Sequence, residues 1–176
     1  RRTRPSILVE EGDTRILVDT PPDLREQLLA ADVRWLSAVV YTHAHADHLH
    51  GIDDLRSINR NIGAPLPVYG DPVTLAVLRE RFGYAVEPLP ARARSFYKPT
   101  LEPHDLGDGE SFVIGQVPVT AFAQDHGFST TVGYRFGDVA YTTDVVELSE
   151  AAFAILAGIH TWIIGTPVAK PHPTHC

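Results

Sequence analysis

The densest chemistry in the chain lies in Thr42-His43-Ala44-His45-Ala46-Asp47-His48, the pattern H-x-H-x-D-H. Random draws from this composition would produce it in only about one or two chains per thousand, so the spacing needs a cause. In an extended backbone, residues two apart point the same way, so His43 and His45 can offer imidazoles to one cation. If the chain then turns into a helix, Asp47 and His48 can face a second cation beside the first. Imidazole with carboxylate suits zinc, and also iron or manganese. Three or four protein ligands complete a metal, so further donors are required. His126, in Gln124-Asp125-His126-Gly127, follows a strand-like run and is the natural third ligand of the first metal, against the alternative of a surface histidine. Asp144, in Tyr141-Thr142-Thr143-Asp144, also falls at a strand end, where a carboxylate can bridge two cations; the alternative is an ordinary turn or N-cap aspartate. Asp125 either orients a ligand imidazole or is a solvated loop aspartate.

The elements that must hold these residues can be read from periodicity and punctuation. Ser6–Glu10 and Thr14–Asp19 flank a Glu11-Gly12-Asp13 turn, a hairpin pattern. Pro21-Pro22 opens a helix with Leu24, Leu28 and Ala31 on one stripe, ending near Asp32. Ala38-Val39-Val40-Tyr41 is an apolar run without alternation, as expected of a strand buried on both faces, and it feeds directly into the histidines. A helical pattern resumes over Ile52–Asn61 and stops at Gly63 and Pro65. Asp71-Pro72 signals another helix start, with Leu75, Leu78 and Phe82 as its stripe up to Gly83. Residues 84–108 are rich in proline and charge and read as a long surface excursion. Val117–Phe122, Thr131–Phe136 and Val139–Thr143 read as strands, Ser149 caps a helix to Ala157, and Trp162-Ile163-Ile164-Gly165 reads as one more buried strand. The class is mixed α and β with layered sheets.

Composition bounds the function. At 176 residues, 44% hydrophobic and 21% charged, the chain suits one globular domain and excludes disorder. No apolar run approaches the roughly 18–20 residues of a membrane span, and no signal peptide opens the chain. A net charge of -7 speaks against a general nucleic-acid binder. The single cysteine, Cys176, leaves no internal disulfide and favours a cytoplasmic setting. The absence of methionine suggests a fragment, and nine histidines suggest metal.

The histidine segment resembles the signature of the metallo-β-lactamase fold hydrolases, and Asp125-His126-Gly127 and Thr143-Asp144 resemble their third-ligand and bridging-ligand motifs. Within that superfamily the chain is most similar to the branch of the phosphoribosyl cyclic phosphate phosphodiesterases and ribonuclease Z. The points of similarity are Arg2-Thr3-Arg4-Pro5-Ser6, Asp19 with Pro22-Asp23-Leu24-Arg25, Gly51-Ile52-Asp53-Asp54-Leu55-Arg56 and Pro171-His172-Pro173-Thr174-His175. The resemblance implies an α+β fold, an αβ/βα sandwich of four layers with metals where strand ends converge. It implies His43, His45 and His126 on the first metal, Asp47 and His48 on the second, and Asp144 between them. Two zinc ions are the expected cofactor, with manganese or iron as alternatives.

The resemblance further implies a metal-activated hydroxide acting on a small, cyclic phosphodiester, with Asp47 indispensable to turnover. His175, rather than His172, would give the leaving alkoxide its proton. Against the family, residues 1–176 read as a single domain that lacks the first strand and the final strand and helix region. On that reading the chain holds one cation well and the second weakly. The competing readings are a thioester or lactone hydrolase, an iron-dependent sulfur dioxygenase on the same fold, and a non-catalytic metal-binding fragment. No membrane partner is expected, nucleic acid is disfavoured, and a homodimer is left open.

Overall fold

A computed structural model describes residues 3–165. The chain falls into two compact units, Arg1–Asp105 and Leu106–Cys176, each containing one five-stranded sheet.

The first unit opens with β1 (Ile7–Glu11) and β2 (Thr14–Val18), an antiparallel hairpin whose turn uses Gly12 at a positive φ of 53°. Thereafter the sheet is parallel: β2, β3 (Ala38–Val40), β4 (Leu66–Gly70) and β5 (Leu101–Asp105) run side by side in chain order. Parallel neighbours need crossovers, and helices supply them. Helix α1 (Leu24–Ala30) links β2 to β3, and buries Leu24 and Leu28. Ala31, expected on the same stripe, is instead the exposed C-cap; the next buried position is Val33, because the helix ends before the stripe can continue.

Between β3 and β4 lie the four-residue helix α2 (Ala46–Leu49), a 3-10 turn over Ile52–Asp54, and α3 (Leu55–Ile62). Helix α3 buries Leu55 and Ile58 and stops where Gly63 takes φ 69°. Helix α4 (Pro72–Val86) starts as expected, with the Asp71 carboxylate accepting from the Thr74 backbone N–H at 3.0 Å. It does not end at Gly83. A kink at Phe82 (φ -128°, ψ 36°) lets the chain go on helically to Val86 and bury Ala85. The core of this unit joins Leu17, Leu24, Val39, Tyr41, Leu49, Leu55, Val68 and Leu75, all at most 5% exposed.

Strands β4 and β5 correct the sequence reading, which left 66–70 unassigned and took 84–108 as a surface excursion. Each carries a proline, which argues against a strand on sequence alone. Pro103 is tolerated because β5 is the sheet edge. Pro67 is tolerated because the β3–β4 register begins only at Val39 and Val68.

The second unit orders its strands β10-β9-β8-β7-β6, where β6 is Ser111–Ile114, β7 Val117–Asp125, β8 Thr130–Phe136, β9 Val139–Thr142 and β10 Thr161–Ile164. Strand β6 was not anticipated; its apolar run Phe112-Val113-Ile114 is short and without alternation, and only Ile114 is buried. Helix α5 (Glu150–Leu156) is capped by Ser149, whose hydroxyl accepts from the Ala152 N–H at 3.1 Å, and packs Ala152 and Leu156 against Phe122 and Ala140. Strand β10 was expected to be buried. Among the described residues it is an edge strand paired in parallel with β9, and Trp162, Ile163 and Ile164 are 38% to 39% exposed.

One close approach in the first unit tests how tightly its parts are fitted. Gly51 follows α2, and a Cβ there would meet the Pro21 carbonyl oxygen at 2.0 Å, while its N–H donates to the Thr20 carbonyl at 2.7 Å. Gly51→Ala is therefore expected to lower stability by about 2–3 kcal/mol, read as a lower urea midpoint. A midpoint equal to the parent's would contradict this packing.

Candidate metal centre

The candidate donors of the first unit gather at the C-terminal ends of its parallel strands, where ligands bind in open sheets of this kind. Asp19 follows directly on β2, and the chain leaves β3 through Tyr41 and Thr42 into His43. Asp19 is fully buried and left-handed, with φ 63°. Aspartate tolerates that conformation better than most residues. Its carboxylate accepts from the Thr42 backbone N–H at 2.8 Å, the Thr42 hydroxyl at 2.7 Å and His48 Nδ1 at 2.7 Å.

This network assigns protons. An ionised carboxylate only accepts, so His48 carries hydrogen on Nδ1, and in the neutral ring the lone pair is then on Nε2. The Thr42 hydroxyl gives its hydrogen to Asp19, so at 3.0 Å it accepts from His43 Nδ1–H. His43 too is left with its lone pair on Nε2. One buried carboxylate thus sets the tautomers of two imidazoles, whose ring centroids stand 4.3 Å apart.

His43 and His48 are buried, whereas His45 and Asp47 are exposed. His43 Nε2 and His45 Nδ1 lie 2.9 Å apart, near the about 3.3 Å edge that Zn–N bonds of about 2.0–2.1 Å give a tetrahedral site. Asp47 Oδ2 is 3.7 Å from His48 Nε2. The structure therefore brings His43, His45 and His48 together, with a chemistry that fits a divalent cation, while Asp47 lies exposed beside His48 and outside that grouping. Helix α2 is too short to hold them by its own propensity. It is stapled instead: Thr20 N–H donates to the His48 carbonyl at 2.7 Å, and the Thr20 hydroxyl to the Leu49 carbonyl at 3.1 Å.

The second unit offers His126 and Asp144, both buried, at the ends of β7 and β9. Two backbone bonds tie these ends together, Asp125 N–H to the Glu147 carbonyl at 3.1 Å and Val146 N–H to the Asp125 carbonyl at 2.7 Å. Gln124 donates to Thr131 Oγ1 at 3.0 Å and to the Thr143 carbonyl at 3.3 Å, and Thr131 Oγ1 donates to the Asp144 carbonyl at 3.3 Å. Asp144, like Asp19, is left-handed, with φ 50°. The Asp125 carboxylate accepts from the Gly127 N–H at 2.6 Å, which makes it the fastening of the turn that follows His126. Among the described residues, the side chains suited to serve a metal ion are His43, His45, His48, His126 and Asp144. His172, His175 and Cys176 lie outside the described residues.

A family model described as the beta-lactamase superfamily domain matches residues 14–176. The chain belongs to that family. A crystal structure described as a new diphosphatase from the PhnP family superposes with a TM-score of 0.87 at 34% identity, covering 99% of this chain and 65% of that one. A ribonuclease Z of Bradyrhizobium sp. (strain ORS 278) is 32% identical over 143 residues, 77% of this chain and 44% of that protein. A protein named octanoyltransferase, from Porphyromonas gingivalis (strain ATCC BAA-308 / W83), is 32% identical over 177 residues, 99% of this chain and 35% of that protein. The chain thus spans between about a third and two thirds of the length of these relatives. The fold is the metallo-β-lactamase fold, in its phosphodiesterase branch, as the histidine segment implied. No helix among the described residues is long and apolar enough to cross a membrane.

Asp19 and Thr42 hold the candidate donors in place, a part that residue-by-residue reading gave to neither. Their signal was position: an acidic residue closing one buried strand and a hydroxyl residue at the end of the next. Asp19→Asn keeps a residue suited to left-handed backbone but replaces one accepting oxygen by an NH₂ group, which faces either the Thr42 N–H or the pair Thr42 Oγ1 and His48 Nδ1. We expect about 2–3 kcal/mol of lost stability and a zinc affinity about 10–100-fold weaker, by competition with a chromophoric chelator. Unchanged zinc affinity would contradict the orienting role.

Proposed function

We propose that this chain is the hydrolase core of a metal-dependent phosphodiesterase acting on a small, cyclic phosphodiester. The observation that carries the reading is the Asp19–Thr42 network, which leaves two neighbouring imidazoles with lone pairs on Nε2. Membership of a hydrolase superfamily supports it. So do the printed names of two relatives, a diphosphatase and a ribonuclease, since both describe cleavage at phosphorus. A net charge of -7 favours a small substrate over RNA, whose binding needs a basic face. The name octanoyltransferase is not carried over, because this chain matches 35% of the protein that bears it.

In the proposal the two units act as one hydrolase domain. His43, His45 and His126 hold one cation, Asp47 and His48 hold a second, and Asp144 serves both. Zinc is the proposed metal, on the strength of an imidazole and carboxylate donor set, with manganese or iron as alternatives. Two divalent ions held there would supply a water of lowered pKa and positive charge for the phosphoryl oxygens. The chain's own part is to hold the donors still. Asp19 fixes His48, Thr42 fixes His43, and the staple from Thr20 fixes α2. His175 is the proposed proton donor to the leaving alkoxide.

The test is hydrolysis of bis(p-nitrophenyl) phosphate by the full-length protein. Activity should vanish on chelation and return with zinc. Asp47→Asn should lower the rate by about 100-fold or more while the tighter zinc stays bound. Near-normal turnover in that variant, or activity indifferent to chelator, would refute the reading.

A further inference from the structure

The last turns of α4 close over the ligand segment at three points. Arg81 Nη1 donates to the Ala44 carbonyl at 3.1 Å, at the residue between His43 and His45. The Phe82 ring meets the His50 ring edge to face, with centroids 5.5 Å apart, just beyond α2. The Tyr84 hydroxyl donates to Asp53 Oδ1 at 2.7 Å, in the turn that follows. Residues 44, 50 and 53 bracket every donor of the segment that follows His43.

The kink makes this possible. In a regular helix, positions 81 and 84 share a face while 82 points about 100° away. The non-helical backbone at Phe82 breaks that phase, and all three side chains reach the same stretch of chain. The kinked end is itself tied down, because Lys98 Nζ donates to the backbone carbonyls of Tyr84 and Glu87. Partial burial, and then the bond to Asp53, push the Tyr84 hydroxyl up to about 12, so it remains a donor at neutral pH.

We infer that Arg81 is a positioning residue for the metal centre, acting through the Ala44 carbonyl, and that Tyr84 secures the far end of the same clamp. The division of labour follows from burial. Asp19 and Thr42 hold the buried imidazoles of His43 and His48 from beneath. His45 and Asp47 are exposed, so core packing does not aim their side chains, and the bond to the Ala44 carbonyl joins the Thr20 staple in setting the backbone that carries them. A bond to the Ala44 carbonyl fixes the peptide plane from which His45 projects. The guanidinium is exposed, so solvent screens its repulsion toward a dication. This inference rests on His45 being a metal ligand, as proposed above.

The experiment measures zinc affinity of the full-length parent, His45→Ala, Arg81→Ala, Arg81→Lys and Tyr84→Phe by chelator competition. It adds the visible spectrum of the cobalt-loaded proteins and the melting temperature of each metal-free protein. We expect Arg81→Ala to bind zinc about 10-fold more weakly with an altered cobalt spectrum and an unchanged metal-free melting temperature. Arg81→Lys, which keeps a donor, should recover most of the affinity. Tyr84→Phe should lose about fivefold. Parent-like affinity and spectrum in Arg81→Ala, or a loss that only tracks a lower melting temperature, would overturn the clamp while leaving the ligand assignment intact. Parent-like zinc affinity in His45→Ala would overturn the ligand assignment, and the clamp with it.

Discussion

A carboxylate with no solvent exposure has to be answered by donors, and Asp19 is such a group. Taking an ion out of water costs several kcal/mol unless good hydrogen bonds replace the lost solvation. Here a backbone N–H, a hydroxyl and an imidazole N–H supply them, all from the strand and helix that carry the metal donors. Removing the carboxylate would leave three buried donors unanswered at once. The same group that costs folding energy therefore binds the end of β2, the end of β3 and α2 into one arrangement. That arrangement fixes which nitrogen of each buried imidazole is open to a cation. Everything proposed about chemistry in the first unit depends on it.

The second unit fastens its strand ends differently. Gln124 and Thr131 pass hydrogen bonds to the backbone carbonyls of Thr143 and Asp144, so the turn after β9 is held by neutral groups. In both units the carboxylate residue adopts a left-handed backbone, which few L-residues other than asparagine and aspartate accept readily. Strain of this kind persists only where surrounding bonds over-determine it. Asp19 and Asp144 are so fastened on both sides, through backbone and neighbouring side chains. Directionality, rather than bulk stability, is what such fastening supplies.

Much of this was legible in the sequence because local chemistry and local structure agreed there. The spacing of His43, His45, Asp47 and His48 could be read directly, and the caps at Asp71 and Ser149 form as their residue types require. What escaped was long-range. Strand β4 contains Pro67 and β5 contains Pro103, and only the sheet order and register show why each missing N–H does no harm. Asp19 looks like any acidic residue before a turn until Thr42, 23 positions on, arrives beside it. The kink at Phe82 has no proline to announce it, and Gly83 was read as a stop when it is passed through.

The central claim is that the buried carboxylate sets the imidazole tautomers before any metal arrives. Long-range proton–nitrogen correlation spectra of the metal-free full-length protein, at neutral pH, measure those tautomers directly. The account predicts that His43 and His48 each carry a fixed hydrogen on Nδ1 and an unprotonated Nε2, and that zinc shifts the Nε2 resonances while the Nδ1 protons stay. Hydrogen on Nε2 of His48, or tautomers that average freely until metal is added, would contradict it.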